Sequence, residues 1–232
     1  MARTHRRRRW VAPQPPLHAA VAPERSSKPT IRVLAGTNGG GKSSVAGETF
    51  RAGGVDYFNP DEATQRILRA HPGIALEDAN SLAWLQGKRL IERAIAERGS
   101  LNFETTLGGN TIPRLLELAI ERGIEVMVWF VALDSPERHL SRVRARVAKG
   151  GHDIPEGKIR ERYDQSRLNL IRLLPNLAAL RVFDNSAEAD PTIAIPNPRL
   201  ILHMEGGRIV EVCPRHEVPE WAKPIVSAAI QQ

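Results

Sequence analysis

The chain has 232 residues, 41% of them hydrophobic, enough for one sizeable core, and its single cysteine, Cys213, excludes an internal disulfide. The net charge of +7 is concentrated at the start: residues 1–28 carry seven basic side chains against the single acid Glu24, so the rest is nearly neutral, which disfavours a nucleic-acid-binding face there. No apolar run approaches the ~18 residues that span a bilayer, and the first residues lack a signal-peptide core, so the expectation is a cytoplasmic protein with no membrane contact.

Residues 1–29 are rich in Arg, Pro and Ala and have no steady apolar period. They read as a disordered basic tail with weak affinity for polyanions. Pro13, Pro15 and Pro16 interrupt the amphipathic helix that an organelle transit peptide would form.

From Thr30 onward, strand and helix patterns alternate. Residues 31–35 (IRVLA) form a β-branched strand, and a helix runs from Lys42 to about Phe50. Residues 55–58 predict a second strand, with a helix opening at Asn59-Pro60-Asp61-Glu62. Leu76 to Glu97 is a long amphipathic helix closed by Gly99. Residues 101–104 make a third strand, 112–122 a helix, and EVMVWFVAL (125–133) the best buried strand. Asp134 or Ser135 caps a helix reaching about Lys149, and after Gly150-Gly151 another runs from Pro155 to about Leu174. Residues 180–183 predict a fifth strand, and RLILHM and RIVEVC flank Glu205-Gly206-Gly207 as a hairpin. Pro219 to Ile230 closes the chain as a helix that Pro224 weakens.

Strands separated by helices of this length imply right-handed βαβ units. The fold class is α/β: a mostly parallel sheet with helices on both faces, the hairpin and last helix (about 198–230) being an appendage.

Gly36 to Ser43 reads GTNGGGKS, which fits G-x-x-x-x-G-K-[ST] between a strand and a helix. Glycines there let backbone N–H groups turn inward on a polyphosphate, and the following helix N-terminus adds its dipole. The nucleotide site is therefore Gly36, Thr37, Asn38, Gly39, Gly40, Gly41, Lys42, Ser43 and Ser44. Lys42 reaches the outer phosphates and the Ser43 hydroxyl suits Mg²⁺. ATP is favoured over GTP because no guanine-reading N-K-x-D motif is present.

In open α/β sheets, ligands lie beyond the carboxyl ends of the strands. Each strand delivers polar residues to that rim: Asp61 and Glu62 after the second, Glu104, Thr105 and Thr106 at the third, Asp134 after the fourth, Asp184 and Asn185 after the fifth. Glu104 at the end of a central strand needs a partner, which a Mg²⁺-bound water or a substrate hydroxyl would supply, whereas Asp61 also reads as a simple helix start. The Arg-rich helix–break–helix over about 140–170 is placed where a kinase lid would sit. Arg146 and Arg162 are its best candidates for phosphoryl contacts, and His152 reads as structural.

At LAGTNGGGKSS, YFNPDE, NFETT, RVRARVAKGGHDIPEGKIRERYDQSRLNL and FDNS, spanning about Ile31 to Ser186, the sequence resembles the zeta-toxin-like P-loop kinases, specifically short relatives often labelled ABC-type ATPases. The resemblance implies an ATP-dependent phosphotransferase on a nucleoside-monophosphate-kinase-like core occupying residues 30–232. It implies Lys42 and Ser43 as phosphate and Mg²⁺ residues, Asp61 as general base, and Glu104 as the acid of the third strand. Arg146 and Arg162 fall in the arginine-bearing lid. It also implies a small-molecule acceptor of the UDP-N-acetylglucosamine type and an antitoxin protein as a partner. The competing readings are an antibiotic-type small-molecule kinase and, from another class, a nucleotide-dependent nucleic-acid-binding module that uses the tail.

Overall fold

The computed structural model describes residues 28–47, 50–51, 55, 57–151, 153–187 and 198–232. The basic tail up to residue 27 and His152 lie outside the described residues. Of the residues assigned to the tail, Pro29 accepts from the Glu125 N–H at 3.0 Å, and Lys28 pairs with the Glu125 carboxylate at 3.5 Å.

Among the described residues seven strands form one sheet: β1 (Thr30–Ala35), β2 (Tyr57–Phe58), β3 (Leu101–Thr105), β4 (Glu125–Ala132), β5 (Ala179–Asp184), β6 (Arg199–Glu205) and β7 (Arg208–Val212), in the order β2-β3-β1-β4-β5-β6-β7. The first five pair in parallel, as the alternating pattern predicts, and β6 and β7 continue antiparallel. The chain leaves β1 toward β2 on one side and returns after β3 to β4 on the other. The loop after β1 therefore opens at the point where the direction of winding reverses, the usual ligand crevice of such sheets.

The central strands are apolar along their length because both faces are covered. On β4, Val126, Val128 and Phe130 join the larger core, while Trp129 and Val131 face a second cluster with Leu34, Val45, Phe50 and Phe183. On the larger-core side lie α2 (Leu76–Glu97), α3 (Thr111–Glu121), α5 (Glu156–Leu173) and α6 (Lys223–Ile230). Ala63 and Ile67 of α1 (Pro60–Ala70) join the same core, and the remaining α-helix among the described residues is α4 (Pro136–Val147). Leu140 and Val143 of α4 meet Ile154 and Ile159 in a small core of their own.

Several local expectations change. The hairpin is not an appendage: β6 pairs with β5 in register from Ala179↔Glu205, so it extends the main sheet. Among the described residues Tyr57 and Phe58 pair as β2, and the turn after the phosphate loop, Ser43–Gly47, is wound as a wide π-type turn, residues 48, 49 and 56 lying outside the described ones. Arg98, not Gly99, takes the left-handed conformation closing α2, at φ 51°. Pro224 does not interrupt the last helix because it sits in the first turn, where a missing N–H costs nothing.

Candidate active site

The loop Gly36–Ser43 follows β1 directly and packs against the end of β4 and the start of α4. Gly36 has φ 137°, and a Cβ there would lie 2.0 Å from the Val131 carbonyl oxygen; at Gly39 (φ 81°) it would lie 2.6 Å from the His139 carbonyl oxygen. Backbone cannot give way, so both positions need glycine for space as well as dihedral. Thr37, Asn38 and Lys42 are buried, while Ser43 and Ser44 are exposed on the turn that follows.

Glu104, at the end of β3, gathers the neighbouring elements. Its Oε2 accepts from the Tyr57 hydroxyl at 2.6 Å and from Asn59 Nδ2 at 2.8 Å, and the Ser43 hydroxyl donates to it at 3.2 Å. Its Oε1 lies 3.7 Å from Lys42 Nζ, both side chains being about nine-tenths buried. Burial and the adjacent Glu104 carboxylate push the Tyr57 phenol well up, so it stays protonated and donates.

Asn59 ties this cluster to the next helix. It is the N-cap of α1, its Oδ1 accepting from the backbone of Asp61 at 2.9 Å and Glu62 at 3.2 Å while its amide holds Glu104. Asp61 thus sits in a fixed first turn, half-exposed, with Oδ2 3.4 Å from Arg146 Nη1. The NPDE stretch is a capped helix start, and Asp61 also lies on the wall of the crevice.

Arg162 reaches from α5 to the phosphate loop, Nη1 donating to Asn38 Oδ1 at 2.8 Å. Burial lowers its affinity for the proton, with Glu161 and Asp61 working against that. Gly108 makes room for it, since a Cβ there would come within 2.6 Å of Arg162 Cγ. Two other arginines of the basic pair turn elsewhere: Arg144 and Arg160 bind Glu156, and Arg160 also binds Glu137, whereas Arg142 donates to the Asn185 carbonyl beside the phosphate loop at 2.7 Å.

One cavity of about 560 Å³ carries Lys42, Asp61, Glu104, Thr105, Thr106 and Arg162 on its walls. Arg146 is not on that wall and touches it through Asp61. Thr105 and Thr106 each accept a backbone N–H of the following loop, from Leu107 at 3.0 Å and Gly108 at 3.4 Å, so both also hold local structure. The stacked rings of Phe58 and Phe103, 5.4 Å apart, and Trp84 of α2 line the same cavity. Gly87 lets α2 approach those rings, because a Cβ would lie 2.6 Å from Phe58 Cε1.

The family model described as "Zeta toxin" matches residues 18–190, well over half of the chain. The chain belongs to the zeta toxin family, a family of P-loop kinases. An uncharacterized protein of Haemophilus influenzae is 33% identical over 129 residues, which are 55% of this chain and 88% of that one. Among solved structures, the complex of AvrRxo1-ORF1 and ORF2 with ATP superposes with a TM-score of 0.62 at 18% identity, covering 87% of this chain and 64% of that one. The chain thus spans less than two thirds of that protein. The PezAT toxin-antitoxin system of Streptococcus pneumoniae gives 0.52 at 15% identity, covering 72% of each. At these identities the likeness is one of fold, and the fold is the expected α/β P-loop class.

Within this member of the zeta toxin family, sequence reasoning missed the part that three residues play. Tyr57 lay unremarked in a strand. Asn185, named only as one of the polar residues at the rim, anchors the phosphate loop, Nδ2 donating to the Gly40 carbonyl at 2.9 Å. His139 is completely buried, its Nδ1 2.8 Å from the Asn38 carbonyl and its Nε2 accepting from the Leu133 N–H at 3.3 Å. A readable signal existed: His139, Leu140, Val143 and Val147 form the one non-charged stripe of an otherwise charged helix.

Proposed function

We propose that the chain transfers the γ-phosphoryl group of ATP to a hydroxyl of a small acceptor, with nucleotide sugars of the UDP-N-acetylglucosamine type as the first candidates. One observation carries this reading. A single cavity joins the phosphate-loop lysine, the half-exposed carboxylate Asp61, the buried Glu104 and the arginine Arg162. A triphosphate held along Gly36–Ser43 has its outer phosphates beside Lys42 at the mouth of that cavity, and an acceptor occupies the rest. The aromatic floor of Phe58, Phe103 and Trp84 suits the flat or apolar faces of a base or sugar ring.

Asp61 accepts the proton of the acceptor hydroxyl as its oxygen bonds to phosphorus and the bond to the ADP oxygen breaks. Arg146, at 3.4 Å, orients that carboxylate, and Arg162 faces the charge spread over the transferring group. Among the described residues, no group of three or more His, Cys, Asp and Glu side chains could cage a metal. The donors that are present, the Ser43 hydroxyl and the Glu104 carboxylate, fit Mg²⁺, which takes one or two protein oxygens plus phosphates and neutralises their charge. An antitoxin-type protein is part of the same proposal, prompted by the toxin-antitoxin pairing of the PezAT fold neighbour.

The test is single-turnover transfer from γ-labelled ATP over a panel of nucleotide sugars and small alcohols, comparing wild type with Asp61→Asn. Asn keeps shape but removes the proton acceptor, so ATP affinity should stay near normal while transfer slows ~100-fold or more. Equal rates on a genuine acceptor would reduce Asp61 to a helix start and move the role to Glu104.

A further inference from the structure

The geometry points to His139 as a positioning residue that sets Arg162, through the phosphate-loop residue Asn38, for the phosphoryl transfer proposed above. The inference rests on that kinase reading and adds a residue to it.

The chain of contacts is short. Leu133 N–H donates to His139 Nε2 at 3.3 Å, so Nε2 carries no proton and Nδ1 must carry the one that bonds the Asn38 carbonyl at 2.8 Å. Asn38 in turn offers its side-chain Oδ1 to Arg162 Nη1 at 2.8 Å. The main chain and the side chain of one residue are thus held by two different helices. The imidazole is completely buried, edge-on to Tyr163 of α5 with ring centroids 5.6 Å apart, and the Tyr163 hydroxyl donates to the Asp134 carbonyl at 3.0 Å. His139 therefore stands where the phosphate loop, the β4–α4 turn and the arginine-bearing helix meet.

A purely space-filling residue would not need this polarity. A buried imidazole that touches no substrate but bonds a loop carbonyl on one side and a strand-end N–H on the other fixes the Asn38 peptide plane. That plane sets where Oδ1 can go, and hence where Arg162 waits. A displacement of about 1 Å at such a group costs on the order of 100-fold in rate. Burial opposes protonation of His139 most, helped by Lys42 and Arg142, and outweighs the Asn38 carbonyl bond and the weaker pull of Asp134, so the neutral form with Nδ1–H persists.

The experiment is a double-mutant cycle on full-length protein, reading the single-turnover loss of γ-phosphate from labelled ATP with the acceptor panel, alongside ATP affinity. His139→Leu and Asn38→Ala should each slow the reaction ~10-fold or more while ATP affinity moves less than threefold. Adding either to Arg162→Gln should slow that variant no further, because both act through the same guanidinium. His139→Gln should restore most of the rate, since its amide can donate to Asn38 and accept from Leu133. Additive losses, or affinity and rate falling in step, would overturn the inference. If His139→Leu does not fold, Asn38→Ala and His139→Gln carry the cycle. If wild type releases no γ-phosphate, the kinase reading fails. The strut is then read from the ¹⁵N-labelled Arg162 guanidinium: a slowly exchanging signal kept in His139→Gln and lost in Asn38→Ala supports it, and one unchanged in Asn38→Ala overturns it.

Discussion

Glu104→Gln perturbs the site at its most connected point. The carboxylate accepts from Tyr57 at 2.6 Å, Asn59 at 2.8 Å and Ser43 at 3.2 Å, and faces Lys42 at 3.7 Å. A glutamine amide has one oxygen and one NH₂. If the NH₂ replaces Oε2 it opposes the Asn59 amide, and if it replaces Oε1 it opposes the Lys42 ammonium, so either orientation sets donor against donor. At least one charge-assisted bond worth ~1.5–3 kcal/mol is lost, and Lys42, about nine-tenths buried, loses its counter-charge. Breaking a buried pair from one side costs about 3–5 kcal/mol, and the partial amide contacts that survive bring the expected loss to about 3 kcal/mol. For a domain of this size that lowers Tm by roughly 6–12 °C. Metal-free ATP brings negative charge back to Lys42, so the gap to wild type should narrow when ATP is added in EDTA. Transfer should nevertheless fall on the order of 100-fold, the scale for removing a preorganised electrostatic group. Thermal unfolding with and without ATP and single-turnover transfer read the three effects separately. A Tm within ~2 °C of wild type together with a near-normal rate would show that this cluster neither holds the site nor serves it.

Two further outcomes follow from individual side chains. Burial lowers the pKa of His139 to about 4, below its unfolded value near 6.5, so the unfolded chain binds its proton first and stability is lost as pH falls between those values. That loss amounts to roughly 3 kcal/mol at full extent, it should vanish in His139→Gln, and the difference between the two denaturation curves from pH 6.5 to 4 measures it; parallel curves would mean the imidazole is already free to protonate. The double variant Arg146→Gln with Arg162→Gln should lower the transfer rate far more than it raises the dissociation constant for ATP, since in the proposed reaction Arg162 meets the charge that moves and Arg146 orients Asp61. Equal losses in a kinetic and binding comparison would place them in ground-state binding.

Much of the frame was legible because it is written in local patterns. The glycine spacing of the phosphate loop, the apolar run of β4 and the capped start at Asn59 each reflect a nearby steric or hydrogen-bonding demand. The parallel order of the first five strands followed from the helices between them. What escaped depends on contacts between distant segments. Nothing around residue 57 announces that Tyr57 will meet Glu104, 47 positions on, and the pairing of β6 with β5 is fixed by which sheet edge is open. Arg146 and Arg162 stand out as candidates in sequence, but nothing there shows where Arg144 and Arg160 turn. The fold separates them by turning Arg144 and Arg160 toward Glu156 and Glu137, and Arg146 and Arg162 toward Asp61 and Asn38.

In the proposed reaction Lys42 and the loop around it present ATP for transfer to a hydroxyl acceptor. The direct measurement follows γ-labelled ATP with Mg²⁺ and the acceptor panel, wild type beside Lys42→Ala, with label resolved as ATP, free phosphate and phosphorylated acceptor. Wild type should place label on an acceptor, and Lys42→Ala should show neither that transfer nor measurable ATP binding, because no other loop residue supplies a cation. Label that reaches an acceptor equally well without the Lys42 ammonium would contradict it.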